Sequence, residues 1–221
     1  MLFRSVGVAA STAAELQAAI NAGGYVTLAS DIQLEKALVI TGSSVVNLNG
    51  KTLTAGLFAE SNGAMTTGET DSYVFWVKEG GNLEINGDGK VLTQACKYSI
   101  AVWAQGGDVT INGGYFENAG NGSDLIYASA AGNVIINGGE FKACEKQPGV
   151  EGTQEEYSVL NLKDNTGSSI TCYGGKYHKF NPANNKSEGP NTNFVADGYK
   201  AYAHGQTYEG KSYRQFYTVK K

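Results

Sequence analysis

Gly107-Asp108-Val109-Thr110-Ile111-Asn112-Gly113-Gly114 and Gly132-Asn133-Val134-Ile135-Ile136-Asn137-Gly138-Gly139 are two copies of one pattern. Gly81-Asn82-Leu83-Glu84-Ile85-Asn86-Gly87 precedes them and Ser169-Ile170-Thr171-Cys172-Tyr173-Gly174-Gly175 follows, with an earlier copy in Val45-Val46-Asn47-Leu48-Asn49-Gly50. Gly87, Gly113 and Gly138 are 26 and 25 residues apart. A repeat in the range of about 20–50 residues points to a solenoid or a propeller, in which each unit buries its apolar face against its neighbours.

Aligned on the Asn-Gly step, Leu83, Val109, Val134 and Ile170 form one column, and Ile85, Ile111, Ile136 and Cys172 form the next. Glu84, Thr110, Ile135 and Thr171 lie between them, so the segment alternates as a strand with one buried face. Asn86, Asn112 and Asn137, followed by Gly87, Gly113 and Gly138, mark a corner: Asn and Gly accept positive φ, and stacked Asn side chains can bond along the stack. A second short strand follows through Val91, Phe116, Phe141 and Tyr177. A third, upstream, aligns the runs beginning at Tyr73, Ser99, Asp124 and Ser158. Three strands in about 25 residues are too few for a four-stranded propeller blade of about 40. The pattern predicts an all-β chain, a single-stranded parallel β-helix of about six coils, right-handed by the usual hand of parallel crossovers. Two insertions, around 59–72 and 145–156, are polar, Gly-rich or acidic surface loops of the kind that carry function.

Both ends need covering, because open strand edges polymerise. Thr12 and Glu15 form a capping box, 13–22 reads as a helix with Leu16, Ala19 and Ile20 on its apolar stripe, and Gly23-Gly24 stops it. The reading divides the chain into an N-terminal arm and capping helix (1–24), the β-helix (25–180) and a Tyr-rich C-terminal cap or assembly segment (181–221). The run from Thr12 to Gly24, then Val26 to Leu34, then Leu48 to Leu53 resembles the opening of pectate-lyase-like right-handed β-helix domains. Gly-Gly-x-aromatic followed by Phe194-Val195-Ala196-Asp197-Gly198-Tyr199 resembles their closing segment. That resemblance implies the architecture of bacterial surface proteins and bacteriophage virion appendages.

A net charge of −4 without a basic stripe argues against nucleic acid as a partner. No apolar run approaches the ~18 residues of a membrane span, and the apolar core of 1–10 is too short for a signal peptide. Of three cysteines, Cys172 falls in an inward column, while Cys96 and Cys144 share no register; no disulfide or metal spacing results, and a reducing assembly compartment fits.

Polysaccharide lyases and hydrolases on such a scaffold need clustered carboxylates, with calcium in the lyases. The outward columns instead read Lys90, Tyr115, Glu140, Lys176 and Leu92, Glu117, Lys142, His178, which place Glu117 beside Lys142 and Glu140 beside Lys176 as a charge ladder. His178 and His204 read as lone surface histidines, and Asn86-Gly87-Asp88-Gly89 as a tight turn with too few acids for calcium. No catalytic residue, metal ligand or cofactor is assigned.

The third strand is apolar on both faces. Phe75, Val77, Ala101, Trp103, Ile126, Ala128, Leu160 and Leu162 are assigned inward. Val74, Trp76, Ile100, Val102, Leu125 and Tyr127 then form an outward ridge that the long insertions cover or that subunits bury between them, most simply about a threefold axis. The reading is a non-enzymatic structural or adhesive protein of a phage virion, such as a head or tail fibre or decoration protein. It follows from the lack of a secretion signal or anchor and from capping at both ends. The alternative is a glycan-binding module of a bacterial surface protein, with Tyr199, Tyr202, Tyr208, Tyr213 and Tyr217 as stacking platforms; a polysaccharide lyase or hydrolase comes third. Partners are further copies of the chain, other virion proteins or a surface glycan, with no membrane.

Overall fold

The computed structural model describes residues 7–57, 71–94, 96, 98–118, 124–143, 159–208 and 211–221, with the backbone alone at 98, 206–208 and 211–215. The insertions expected at 59–72 and 145–156 and the third cysteine, Cys144, lie almost wholly outside these residues; only 71–72 fall within them. The chain is mostly β, in three sheets whose strands are numbered here in chain order. Sheet A holds β1 (Val8–Ala10), β2 (Gly24–Leu28), β5 (Ser43–Asn47), β8 (Asn82–Asn86), β11 (Asp108–Ile111), β14 (Asn133–Ile136) and β17 (Ser169–Cys172), in that spatial order. Sheet B runs from β3 (Ile32–Gln33) through β6 (Lys51–Thr54), β9 (Gly89–Leu92), β12 (Tyr115–Glu117), β15 (Glu140–Lys142) and β18 (Lys176–His178) to β20 (Lys211–Lys220) and β19 (Lys200–Tyr208). Sheet C runs from β4 (Leu38–Ile40) through β7 (Asp71–Lys78), β10 (Tyr98–Gln105) and β13 (Ile126–Ser129) to β16 (Leu160–Leu162). From β2 onward the chain visits A, B and C in turn, and every pairing up to β18 is parallel.

The columns inferred from the repeat are observed. Val109 pairs in register with Leu83 and Val134, and Ile111 with Ile85 and Ile136; Ile85, Ile111 and Ile136 are wholly buried. On sheet B the inward column ends in stacked rings, Phe116 on Phe141 at 5.2 Å and Phe141 on Tyr177 at 5.1 Å, close to the strand spacing. Cys172 lies in the core, where burial pushes its thiol up to about 12 against a hydrogen bond with Tyr177.

The corner after sheet A works differently from the expected positive-φ Asn. Asn86, Asn112 and Asn137 are not left-handed; their amides form a ladder, Asn112 Nδ2 donating to Asn86 Oδ1 and Asn137 Nδ2 to Asn112 Oδ1, each at 2.8 Å. In the first copy the residue in this column is Asn47, paired with Asn86, and not Asn49. The glycine pair divides two tasks. The second glycine takes the left-handed backbone, φ +98° at Gly114 and +103° at Gly139 and Gly175. The first admits the preceding circuit's carbonyl: a Cβ on Gly138 would lie 2.6 Å from the Asn112 oxygen, and on Gly174 2.0 Å from that of Asn137.

Connector lengths differ sharply by corner. From A to B the chain uses two or three residues throughout, as between Ile111 and Tyr115. From C to A it uses two or three until the last circuit, Leu162 to Ser169. Between β2 and β18 the three longest connections, between Thr54 and Asp71, Glu117 and Ile126, and Lys142 and Leu160, run from B to C. That corner also holds buried polar groups: Gln94 N–H donates to Ser72 Oγ at 2.9 Å, Ser99 Oγ to Gln94 O at 3.0 Å, and the Thr93 and Ser99 hydroxyls bond each other.

The edges of β4, β16 and β17 are capped by specific groups. Helix α1 (Ala13–Ala22) starts at the expected box, Glu15 N–H donating to Thr12 Oγ1 at 3.2 Å and Ser11 N–H to Glu15 Oε2 at 2.8 Å, and buries Leu16 and Ile20. Its Gln17 amide acts as a surrogate strand for β4, donating to Val39 O and accepting from Val39 N–H, both at 2.9 Å. The segment before the helix, expected as an arm, adds strand β1 to sheet A. At the far end 194–196 pairs with Cys172, Glu188 Oε1 accepts the Leu162 N–H at 2.6 Å, and β20 pairs antiparallel with β18.

Candidate functional site

Three regions carry polar chemistry: the outer face of sheet B, the largely buried outer face of sheet C and the C-terminal hairpin. On sheet B the period-2 alternation turns Tyr115, Glu117, Glu140, Lys142, Lys176 and His178 outward, and parallel register stacks them. Lys142 Nζ lies 2.7 Å from Glu117 Oε1, whose other oxygen accepts the Tyr115 hydroxyl at 2.8 Å. Lys176 Nζ lies 3.0 Å and His178 Nε2 2.6 Å from Glu140 Oε1. The ion pairs are those expected from the sequence. His178 is not the isolated surface histidine expected, because parallel stacking brings Glu140 within its reach.

Burial pushes the Glu140 carboxyl up, but hydrogen bonds and charge from His178 and Lys176 outweigh it and hold the carboxyl below its ordinary value. Its folded pKa being the lower, Glu140 adds stability above the ordinary carboxylate range and loses it as the pH falls through its folded value. Glu140→Gln should therefore reduce the thermal midpoint slightly at neutral pH and by nothing at acid pH. Melting curves of both proteins across pH check this, and a difference that widens in acid would contradict it. The groups are about a third exposed, so the neutral-pH effect is about 1 kcal/mol at most. Burial, the Glu117 hydrogen bond and the charges of Glu117 and Glu140 raise the Tyr115 phenol.

Sheet C corrects the facing inferred from sequence. Phe75 pairs with Val102 and Val102 with Ile126, while Trp76 pairs with Trp103 and Trp103 with Tyr127. Val102 is therefore inward and Trp103 outward, the reverse of the expected assignment: the run at Ser99 had been aligned one residue out of step. The outward column is Val39, Trp76, Trp103, Tyr127 and Asn161. Trp76 stacks on Trp103 at 5.3 Å and 9°, with Lys78 Nζ 3.9 Å from the Trp76 ring centre. Their indole N–H groups donate to Gln105 Oε1 at 2.8 Å and Ser129 Oγ at 2.9 Å.

The expected intersubunit ridge is buried within the single chain: Val74, Val102 and Leu125 are 0% exposed, Ile100 1% and Trp76 7%. Tyr127 alone of that set is half-buried. Burial and then the charges of Asp124, Glu188 and Asp164 push its phenol up to about 12. Asn161 Nδ2 donates to Asp124 Oδ2 at 2.7 Å. Burial raises the Glu188 carboxyl, the Leu162 amide draws it back, and the charge of Asp164 leaves it above its ordinary value. A raised carboxyl beside further acids is the arrangement a general acid requires, yet Glu188 already accepts the edge N–H of β16, which makes it a cap. Among the described residues no group of three His, Cys, Asp or Glu side chains is arranged to hold a metal.

The five tyrosines set apart as stacking platforms do not share a face. Tyr217 points inward and is 9% exposed, Tyr199 packs edge-on against Tyr173 at 5.3 Å, and Tyr202 is 39% exposed beneath Lys220 Nζ at 4.7 Å. Tyr208 and Tyr213 lie on β19 and β20, where only the backbone is described. His204 stacks on Phe216 at 4.6 Å and its Nε2 is 2.8 Å from Thr218 Oγ1. At the opposite end, a cleft of about 550 Å³ lies between α1 and 33–38; of its polar lining groups, Gln17 is committed to Val39. Sequence reasoning missed Gln17, Asp124 and Glu188, which meet their partners through the fold rather than the repeat. Among the described residues no helix is long and apolar enough to cross a membrane.

No family model, curated protein or solved structure matches this chain.

Proposed function

We propose that the chain winds as one right-handed, single-stranded parallel β-helix and serves as a non-enzymatic structural or adhesive protein, a virion component such as a phage fibre or decoration protein. The observation that carries this reading is the way the sheet B wall consumes its own chemistry. Glu117 and Glu140 are each held by a lysine from the following circuit, at 2.7 and 3.0 Å, and Glu140 is kept ionised rather than poised to donate a proton. Such a wall suits a rigid rod with dedicated edge caps. Self-association, a trimer in the first instance, belongs to the same reading, with its contact face on surface other than the buried sheet C ridge.

The expected result is no release of unsaturated or reducing ends from pectin, alginate or bacterial capsule, with or without calcium. Turnover abolished by Glu117→Gln, Glu140→Gln or Asp164→Asn would replace the structural reading with an enzymatic one. Particles purified from cells carrying the gene should contain the chain, and its absence from them would remove the virion assignment. A second reading, a glycan-binding surface module, is favoured by the exposed Tyr202 and Tyr173 rings, 39% and 41% accessible near the C-terminal end. Retention on immobilised neutral glycans would select it.

A further inference from the structure

The chain treats its strand edges unequally. Gln17 covers β4, 194–196 covers β17 and Glu188 covers the β16 amide. β19 is nine residues long, and among the described residues its only partner strand is β20. The register identifies which of its backbone groups are left open. Val219 N–H donates to Gly175 O, so the odd residues of β20 face β18 and the even ones face β19. Lys200, Tyr202 and His204, opposite Lys220, Thr218 and Phe216, therefore turn their N–H and C=O groups to β20. Ala201 and Ala203 turn theirs to the free edge.

The charge of this hairpin departs from that of the rest. Residues 200–221 contain Lys200, Lys211, Arg214, Lys220 and Lys221 against one acid, Glu209; residues 1–199 contain the other 12 cations and 20 acids. A second copy of β19 would bring the same cations against these. The exposed Lys200 and the bulge at His204/Gly205 are also devices by which edge strands avoid their own copies. Neither hinders a strand of opposite charge, whose carboxylates would be drawn to the hairpin while its backbone completes the ladder.

We propose that the free edge of β19 binds an extended acidic segment of a partner protein as an added β-strand, through the backbone groups of Ala201 and Ala203. This site is the terminal edge of sheet B, apart from the Glu117–Lys142 and Glu140–Lys176 pairs on its outer face, and the proposal stands whether or not those pairs are structural.

The probe is a fluorescein-labelled Glu-Val-Glu-Val-Glu-Val-Glu peptide, titrated with the full chain at low salt. It is compared with its lysine-for-glutamate counterpart and with an acidic peptide carrying Pro in place of Val. The acidic strand-former should bind and the other two should not. Ala203→Pro removes an outward N–H without touching the β19–β20 ladder, a position where edge strands accept proline. It should weaken binding about tenfold, equivalent to about 1.4 kcal/mol. In the unsubstituted protein, hydrogen exchange at the Ala201 and Ala203 amides should slow when the peptide binds, a readout that does not depend on the variant folding. Absence of binding, equal binding of the Pro-containing peptide, or unchanged exchange at both amides would overturn the proposal. So would a dimer in light scattering that Ala203→Pro dissociates, because the edge would then belong to a second copy.

Discussion

Ile111→Asp should leave no folded protein: no cooperative thermal transition and no strand signal in circular dichroism. Ile111 is 0% exposed in the middle of sheet A, between Ile85 and Ile136, which are also 0% exposed. An ionised carboxylate there has no partner on either side, and a buried unpaired charge belongs to the small class of substitutions that cost more than about 4–5 kcal/mol. Domains are typically stable by only about 5–15 kcal/mol. In a stacked array the loss spreads, since each circuit is held mainly by its two neighbours. Ile111→Val is the control, with an expected cost of about 1 kcal/mol. A cooperative Ile111→Asp protein melting within a few degrees of the parent would show that these strands do not form one continuous core.

Gly132→Ala should destabilise almost as severely for the addition of one methyl group. The new Cβ would sit 2.1 Å from the Ala104 carbonyl oxygen and 2.7 Å from its carbon, both backbone atoms that cannot rotate away. Relief requires β10 and the chain leading out of β13 to separate, and roughly 3 kcal/mol is the expected loss for overpacking of this kind. Gly42 provides the contrast. Nothing lies within 4 Å of its added Cβ, and its φ is not left-handed, so Gly42→Ala should be neutral or stabilise by about 0.5 kcal/mol through the unfolded chain. Equal chemical denaturation midpoints for the two variants would refute the close-approach account of the glycine columns.

These two substitutions mark where the fold was legible. Leu83, Val109, Val134 and Ile170 could be aligned because one residue, polar in every copy but that of Ile135, separates each from the next buried position, and a following glycine, preceded by Asn in the first three, fixes the frame. The run Ser99 to Trp103 offered neither aid. Both of its faces are buried, so hydrophobicity does not distinguish register 75–101 from the observed 75–102. Asn49, beside Gly50, imitated the corner motif closely enough to hide Asn47. The charge ladder was legible because it follows from the same register. Gln17 and Glu188 were not, because a side chain that imitates a strand leaves no periodic trace, and the contacts span 22 and 26 residues.

The contrast among the three corners bears on what a gene for this chain can absorb. An extra codon within Asn112-Gly113-Gly114 would shift the amide ladder and drive a side chain into the carbonyl beneath it, so this corner, whose length changes by only a residue or two from circuit to circuit, has little room for insertion. Between Thr54 and Asp71, or between Lys142 and Leu160, the chain already spends many more residues than a circuit needs to close. Large length variants should therefore survive mainly along the B-to-C edge of the molecule. Random insertion libraries should return more folded members from that edge than from the other two, and new sequence entering there would be displayed on one side of an otherwise unchanged scaffold.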